Sequence, residues 1–110
     1  MSIRHFLKRP RAVSAAEAKA LIEEGAVVVD VRRERDWARH HIPGSINIPL
    51  TQLESRALEL PEDRLLITFC VGGLISSGAA TLLTEFGFDA VSMSRGLIDW
   101  RSIGGELATS

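Results

Sequence analysis

One cysteine, Cys70, occupies a position in the sequence where a nucleophile could act. It follows LLITF, residues 65–69, an apolar run typical of a buried strand. Ligands of open α/β sheets bind at the carboxyl ends of the strands. The glycines after Cys70 allow positive φ and close approach of backbone amides, just before a predicted helix. We therefore predict Cys70 as the reactive thiol, with a substrate-binding loop made of Val71, Gly72, Gly73, Leu74, Ile75 and Ser76.

The loop predicts a particular chemistry for the sulfur. Convergent N–H groups and the positive end of a helix dipole favour a thiolate over a thiol, and the thiolate is the nucleophile. The same amides would hold a persulfide or an oxyanion. Two alternatives exist: cysteine is often an inert buried residue, and glycine-rich loops also bind phosphate. The second is disfavoured because GxxxxGK[ST] is absent and the loop has no lysine.

Strands and helices are predicted to alternate along the chain. Strands are expected over 26–31, 45–48, 65–69 and 90–93. Helices are expected from the Ser14-Ala-Ala-Glu17 capping box to about Glu24 and over 32–39, 51–60, 76–86 and 96–103. The continuous branched apolar run AVVVDV suits a strand covered on both faces. This order predicts an α/β layered fold.

Composition narrows the function classes. A chain of 110 residues with 45% hydrophobic residues suits one globular domain, which we assign to 12–110, after an N-terminal arm over 1–11. The 13 Lys and Arg residues against 14 Asp and Glu leave no broad basic face, so we expect no nucleic-acid partner. No apolar run reaches the length of about 18 residues that a membrane span needs. The lone cysteine excludes an internal disulfide or a multi-cysteine zinc site and is compatible with the cytoplasm, where we expect the protein.

Two stretches resemble the signature regions of rhodanese-domain proteins. DVRRERDWARHHIPGSINIPL, residues 30–50, is similar to the first, and CVGGLISSGAA, residues 70–80, is similar to the second. The closing segment SMSRGLIDWRSIGGEL looks like the family's glycine-tryptophan segment through Gly96 and Trp100. The resemblance covers about residue 12 onward.

The resemblance implies both a fold and a reaction. The fold would be a central, mostly parallel five-stranded sheet flanked by helices on both faces. The reaction would move sulfane sulfur from thiosulfate or a persulfide donor, through a Cys70 persulfide, to a thiophilic acceptor. Ping-pong kinetics would then be expected. Neither a metal nor an organic cofactor is implied, and the expected partners are small sulfur donors or acceptors, or a persulfide-bearing protein.

Ile75 departs from the family pattern. Many members have Cys-x-x-Gly-x-Arg, whereas this chain has isoleucine at the arginine position. An apolar side chain offers neither charge nor hydrogen bond to a thiosulfate dianion, so we expect weak thiosulfate activity. The departure also keeps open a non-catalytic rhodanese-like module that binds a partner or senses thiols. Phosphatase relatives of this fold end a longer loop in arginine, where this chain has Ser76, so phosphatase chemistry is disfavoured.

Four further residues are singled out. Asp30 and Arg32 match the family's Asp-Val-Arg, and His41 belongs to an HIPG turn; we predict structural support for all three. A metal site at the adjacent histidines is disfavoured, because neighbouring side chains seldom point at one ion. Arg95 follows the third central strand and is a candidate cation for the sulfur donor, with a solvated surface arginine as the alternative.

Overall fold

A five-stranded parallel sheet forms the centre of the protein in the computed structural model, which describes residues 11–110. The spatial order is β1-β5-β4-β2-β3, and each neighbouring pair is parallel. The strands are β1 Ala12–Val13, β2 Val27–Asp30, β3 Ile46–Asn47, β4 Leu66–Phe69 and β5 Ala90–Met93. The predicted α/β class, five-stranded sheet and parallel pairing are confirmed. The predicted arm, apart from Arg11, lies outside the described residues.

Helices connect the strands. They are α1 Ala15–Glu23, α2 Glu34–Arg39, α3 Leu53–Arg56, α4 Leu74–Glu85 and α5 Gly96–Ser102. The α1 helix begins at the predicted capping box, where the Glu17 amide donates to Ser14 Oγ at 3.0 Å and the Ser14 amide donates to Glu17 Oε1 at 2.9 Å. The hydrogen bond from the Ser14 amide lowers the pKa of the Glu17 carboxyl group. Within residues 11–110, no helix combines the length and apolar character needed to cross a bilayer.

The sheet has a hydrophobic core on each face. Successive strand residues point to opposite sides, so Val29 packs with α3 and α4 while Val28 packs with α1 and α5. Leu66 and Ile67 of β4 likewise belong to the cores on opposite faces of the sheet. All four β4 residues are buried, which accounts for the uninterrupted apolar run in the sequence. The predicted helices on both faces are therefore confirmed.

Besides shifts of one or two residues at element ends, as in β2, β3, α2 and α5, the elements differ from the prediction in three places. The edge strand β1 was not predicted: only two residues long, it pairs with β5, where the Ser92 amide donates to the Arg11 carbonyl at 2.9 Å. The helix predicted over 51–60 is one α-helical turn, α3, between 3-10 turns at Leu50–Gln52 and Ala57–Glu59. The α4 helix begins at Leu74, two residues before the predicted start, because Gly73 already turns the chain with a φ of +93°.

Gly96 joins β5 to α5 against the backbone of the cysteine loop. Its φ is +37°, and a Cβ there would collide with the Cys70 carbonyl oxygen. The close approach lets the Leu97 amide donate to that carbonyl at 2.9 Å and the Ile98 amide donate to the Val71 carbonyl at 3.2 Å. The turn after β5 therefore supports the start of the cysteine loop directly.

We predict that Gly96→Ala lowers the free energy of unfolding by on the order of 2 kcal/mol, because the methyl group must displace the Cys70 carbonyl and the backbone must keep a positive φ. Denaturant unfolding measures the change. Gly78→Ala is the matched control: Gly78 is exposed within α4 with open space around it, so alanine should stabilise the protein by about 0.5–1 kcal/mol. Equal effects of the two substitutions would contradict the proposed contact.

Candidate active site

A cavity of about 500 Å³ lies at the carboxyl edge of the sheet. Its walls come from the segments that follow three adjacent strands: Val31–Arg33 after β2, Pro49–Thr51 after β3, and the cysteine loop after β4. Parallel strands end at the same edge, so the topology brings these distant segments together. The lining is mainly apolar, and Cys70 is part of it.

Cys70 is a free, buried thiol with 4% of its surface exposed. The Gly73 amide donates to its Sγ at 3.1 Å, and the Ser76 amide donates to it at 3.3 Å. The second donor belongs to the first turn of α4, whose 12 residues direct the positive end of the helix dipole toward the sulfur. Two converging amides and a helix terminus stabilise negative charge on Sγ.

A buried hydroxyl network lies behind the loop. Ser76 Oγ donates to the Gly73 carbonyl at 3.1 Å and is 2.8 Å from Ser92 Oγ. Thr68 Oγ1 donates to the Ser76 carbonyl at 2.6 Å. These three side chains tie the first turn of α4 to β4 and β5, so they orient the amides that face Sγ. Sequence reasoning placed Ser76 in the loop but missed Thr68 and Ser92, because isolated hydroxyls in apolar strands give no distinctive pattern.

Asp30 and Arg32 form a buried ion pair beside the cavity. Arg32 Nη2 donates to Asp30 Oδ2 at 2.7 Å and to the His40 carbonyl at 2.6 Å, and Arg32 Nε donates to Asp30 Oδ1 at 3.0 Å. The guanidinium also lies 5.4 Å from the centre of the Phe69 ring. Asn47 Nδ2 donates to the carbonyls of both ion-pair residues at 3.0 Å. The pair therefore joins the ends of β2 and β3 to the loop before His41.

His41 connects α2 to the end of the chain. Its Nδ1 lies 2.8 Å from the Trp37 carbonyl, and because a carbonyl only accepts, Nδ1 carries a hydrogen. The ring stacks on Trp37 with centroids 3.9 Å apart, and the His41 backbone forms an antiparallel bridge with Ala108. Within residues 11–110, no group of three or more His, Cys, Asp or Glu residues is placed to hold a metal ion.

The arginines around the site have different partners. Arg95 has a φ of +55°, and its amide nitrogen would lie 2.6 Å from a Cβ on Gly73, so its backbone contacts the cysteine loop. Its guanidinium, however, bonds to Asp99 at 3.0 Å and lies outside the cavity lining. The cavity instead includes Arg33, which sequence reasoning did not select. Its position directly after the Asp-Val-Arg motif was the sequence feature that could have identified Arg33.

The fold and the site define an α/β protein whose parallel sheet carries, at its carboxyl edge, a cysteine bonded by loop amides. The family model described as the rhodanese-like domain matches residues 14–103. The chain belongs to the rhodanese-like domain family. The structure is similar to that of a rhodanese-related protein from Thermoplasma volcanium, with a TM-score of 0.85, 27% identity, and coverage of 92% of this chain and 100% of that chain.

Curated relatives fall into several named classes. The thiosulfate sulfurtransferase GlpE of Pseudomonas fluorescens is 39% identical over 78% of this chain and 80% of its own length. The HTH-type transcriptional regulator Rv0324 of Mycobacterium tuberculosis is 33% identical over 84% of this chain, and the putative sulfur carrier protein YrkF of Bacillus subtilis is 31% identical over 89%. The matched region spans only 42% of Rv0324 and 60% of YrkF.

We predict that Asp30→Asn lowers the free energy of unfolding by about 3 to 5 kcal/mol, because it leaves the Arg32 guanidinium buried without a counter-charge. Asp36→Asn is the matched control. Asp36 meets Arg33 at 3.4 Å in an ion pair whose arginine side chain is 74% exposed, so its loss should cost less than about 1 kcal/mol. Chemical denaturation of both variants measures the difference, and a small loss for Asp30→Asn would refute the structural role of the buried pair.

Proposed function

We propose that the protein is a sulfurtransferase or sulfur carrier that moves sulfane sulfur through a Cys70 persulfide. The observation that carries the proposal is the placement of Cys70 Sγ in a cavity, with amide donors at 3.1 Å and 3.3 Å. Such donors stabilise a thiolate before the reaction and a persulfide anion after it. The named sulfurtransferase and sulfur carrier relatives support the same reaction class.

The first step loads the cysteine. The Cys70 thiolate attacks the outer, sulfane sulfur of the donor, and a new S–S bond forms to Sγ. With thiosulfate, the bond between the two donor sulfurs breaks and sulfite leaves with the electron pair. With an organic persulfide anion, the thiolate RS⁻ leaves instead. In both cases Cys70 becomes a persulfide anion, and the total charge is conserved.

The second step transfers the sulfur from Cys70 to an acceptor. A thiophilic acceptor, such as cyanide or a thiolate, attacks the outer sulfur of the Cys70 persulfide. The S–S bond to Sγ breaks, and the electron pair returns to Sγ as the thiolate. The products are thiocyanate or a new persulfide. Covalent catalysis in two half-reactions is the pattern that ping-pong kinetics detects.

The cavity favours donors other than thiosulfate. Ile75 is 51% exposed at the rim, where it offers a dianion no charge. The Arg32 guanidinium is already bonded to Asp30. We therefore infer that organic or protein persulfides are better donors than thiosulfate, because their reacting sulfur carries less charge that must be neutralised. Arg95 remains a predicted donor cation, and its guanidinium would first have to leave Asp99.

A non-catalytic binding or thiol-sensing module is the second candidate. Its support is the exposed apolar surface of the cysteine loop, where Val71 is 53% exposed and Leu74 is 87% exposed. Apolar side chains of this size on a surface loop suit contact with a partner protein. The same surface also suits delivery of sulfur from a persulfide-bearing protein, so the two candidates differ in what happens at Cys70.

The cytoplasmic location of the protein stays a prediction.

We predict that incubation with a persulfide donor adds the mass of one sulfur atom to the protein, and that cyanide removes it with release of thiocyanate. The chain has one cysteine, so intact-protein mass spectrometry reports on Cys70 alone, and Cys70→Ser is the control. Absence of the added sulfur with every sulfane donor would exclude the transferase. If Cys70 gains a sulfur atom but transfers it neither to cyanide nor to a thiol, the result favours the sensing module.

We predict that Ile75→Arg raises kcat/KM for thiosulfate by about tenfold, because a guanidinium at the rim can form charge-assisted hydrogen bonds to the dianion. The wild-type protein should use an organic persulfide better than thiosulfate. Leu58→Arg is the matched control, since Leu58 is 92% exposed outside the cavity and takes the same charge. Thiosulfate as the better wild-type donor, or an unchanged kcat/KM in Ile75→Arg, would contradict the role of Ile75.

A further inference from the structure

Two neighbouring arginines in the cavity wall have opposite environments. Arg32 has a side chain only 7% exposed, bonded to the fully buried Asp30 carboxylate. Its charge is neutralised inside the protein and holds the strand ends together. Arg33 has a side chain 74% exposed, and its hydrogen bond to Asp36 Oδ2 is long, at 3.4 Å. An exposed ion pair of this geometry contributes little binding energy, so the Arg33 guanidinium can exchange Asp36 for a ligand anion.

Apart from Arg32, Asp36 and Thr51, the side chains in the rest of the cavity wall are apolar. Val31, Pro49, Leu50, Leu74 and Ile75 surround the space with apolar atoms. The groups that bond to Cys70 Sγ are the Gly73 and Ser76 amides, and Arg33 is not among them. The site therefore has three parts, which are amides at the Cys70 sulfur, an apolar wall, and the Arg33–Asp36 ion pair, whose cation is exposed to solvent.

Resting on the function proposed above, we propose that this cavity selects a small organic persulfide whose carbon chain carries a carboxylate, and that Arg33 binds the carboxylate. The chain would contact the apolar wall while the sulfane sulfur reaches Cys70. A volume of about 500 Å³ lies within the range of small-molecule sites. In the transfer step Sγ bonds to the outer sulfur, the S–S bond of the donor breaks, and the carboxylate-bearing thiolate leaves with the electron pair.

This assignment makes Arg33 a specificity-determining residue and not a participant in sulfur transfer. Its effect should therefore appear in KM and depend on the donor's charge, while kcat stays unchanged. Asp36 competes with the donor carboxylate for the same guanidinium. Removing the Asp36 charge should strengthen binding of an anionic donor, which is the opposite of what a purely structural ion pair predicts.

The test compares the persulfides of mercaptopropionic acid and of mercaptopropionamide, which have the same chain and differ in charge. We expect Arg33→Gln to raise KM for the acid about tenfold and to leave KM for the amide within about twofold. Arg33→Lys should restore part of the loss, and Asp36→Asn should lower KM for the acid. Added salt should weaken the preference for the acid in the wild-type protein.

Arg35→Gln is the matched control, because Arg35 is an exposed arginine of α2 outside the cavity lining. It removes the same charge two residues away and should leave both KM values unchanged. Equal effects of Arg33→Gln on the acid and the amide, or an equal effect of Arg35→Gln, would overturn the assignment. These outcomes still require sulfur on Cys70, whereas failure of the transferase proposal would leave Cys70 unmodified by either donor.

Discussion

The contact between the cysteine loop and the turn after β5 is the constraint on which the site depends. Gly96 has no side chain where the Cys70 carbonyl lies, and Gly73 has none where the Arg95 amide lies. Each glycine therefore allows one backbone to press against the other. Arg95 takes a left-handed conformation, unusual for a residue with a side chain, within this same contact. Two segments far apart in sequence thus shape one loop, and that loop sets the distances from its amides to Sγ.

The two arginines in the cavity wall, Arg32 and Arg33, differ in exposure and in partner. Arg32 lies closest to the strand ends and is held by Asp30, a carboxylate with no exposed surface. A buried guanidinium without that partner would be strongly destabilising, so this charge serves the structure. The loop itself contains the apolar Ile75 and no arginine. As a result, Cys70 Sγ accepts hydrogen bonds from two amides, and the exposed guanidinium in the cavity lining is that of Arg33, farther along the segment after β2.

Local patterns predicted the elements whose stability is local. The Ser14–Glu17 capping box forms because both hydrogen bonds lie within one helical turn. The buried strands were evident because a strand covered on both faces needs apolar residues at successive positions. The edge strand β1 escaped prediction because two residues have no pattern of their own and become a strand only by pairing with β5. The segment 51–60 was expected as one helix, but it changes from α3 to a 3-10 turn. Its buried side chains join the core from the start of α3, from that turn and from the residue after it: Leu53, Ala57 and Leu60.

The sequence by itself determined the candidate nucleophile Cys70, the glycines after it and the absence of an arginine in its loop, because these depend on residue type and near neighbours. It also determined that Asp30 and Arg32 are close enough in the chain to pair. The tertiary structure decided that Arg33 lines the cavity and that Arg95 does not. Arg33 and Arg95 are both charged residues after strands, and no local pattern separates them. Each has a carboxylate partner one helical turn farther along the chain, Asp36 for Arg33 and Asp99 for Arg95, so their difference lies in position: folding places Arg33 in the cavity lining and Arg95 outside it.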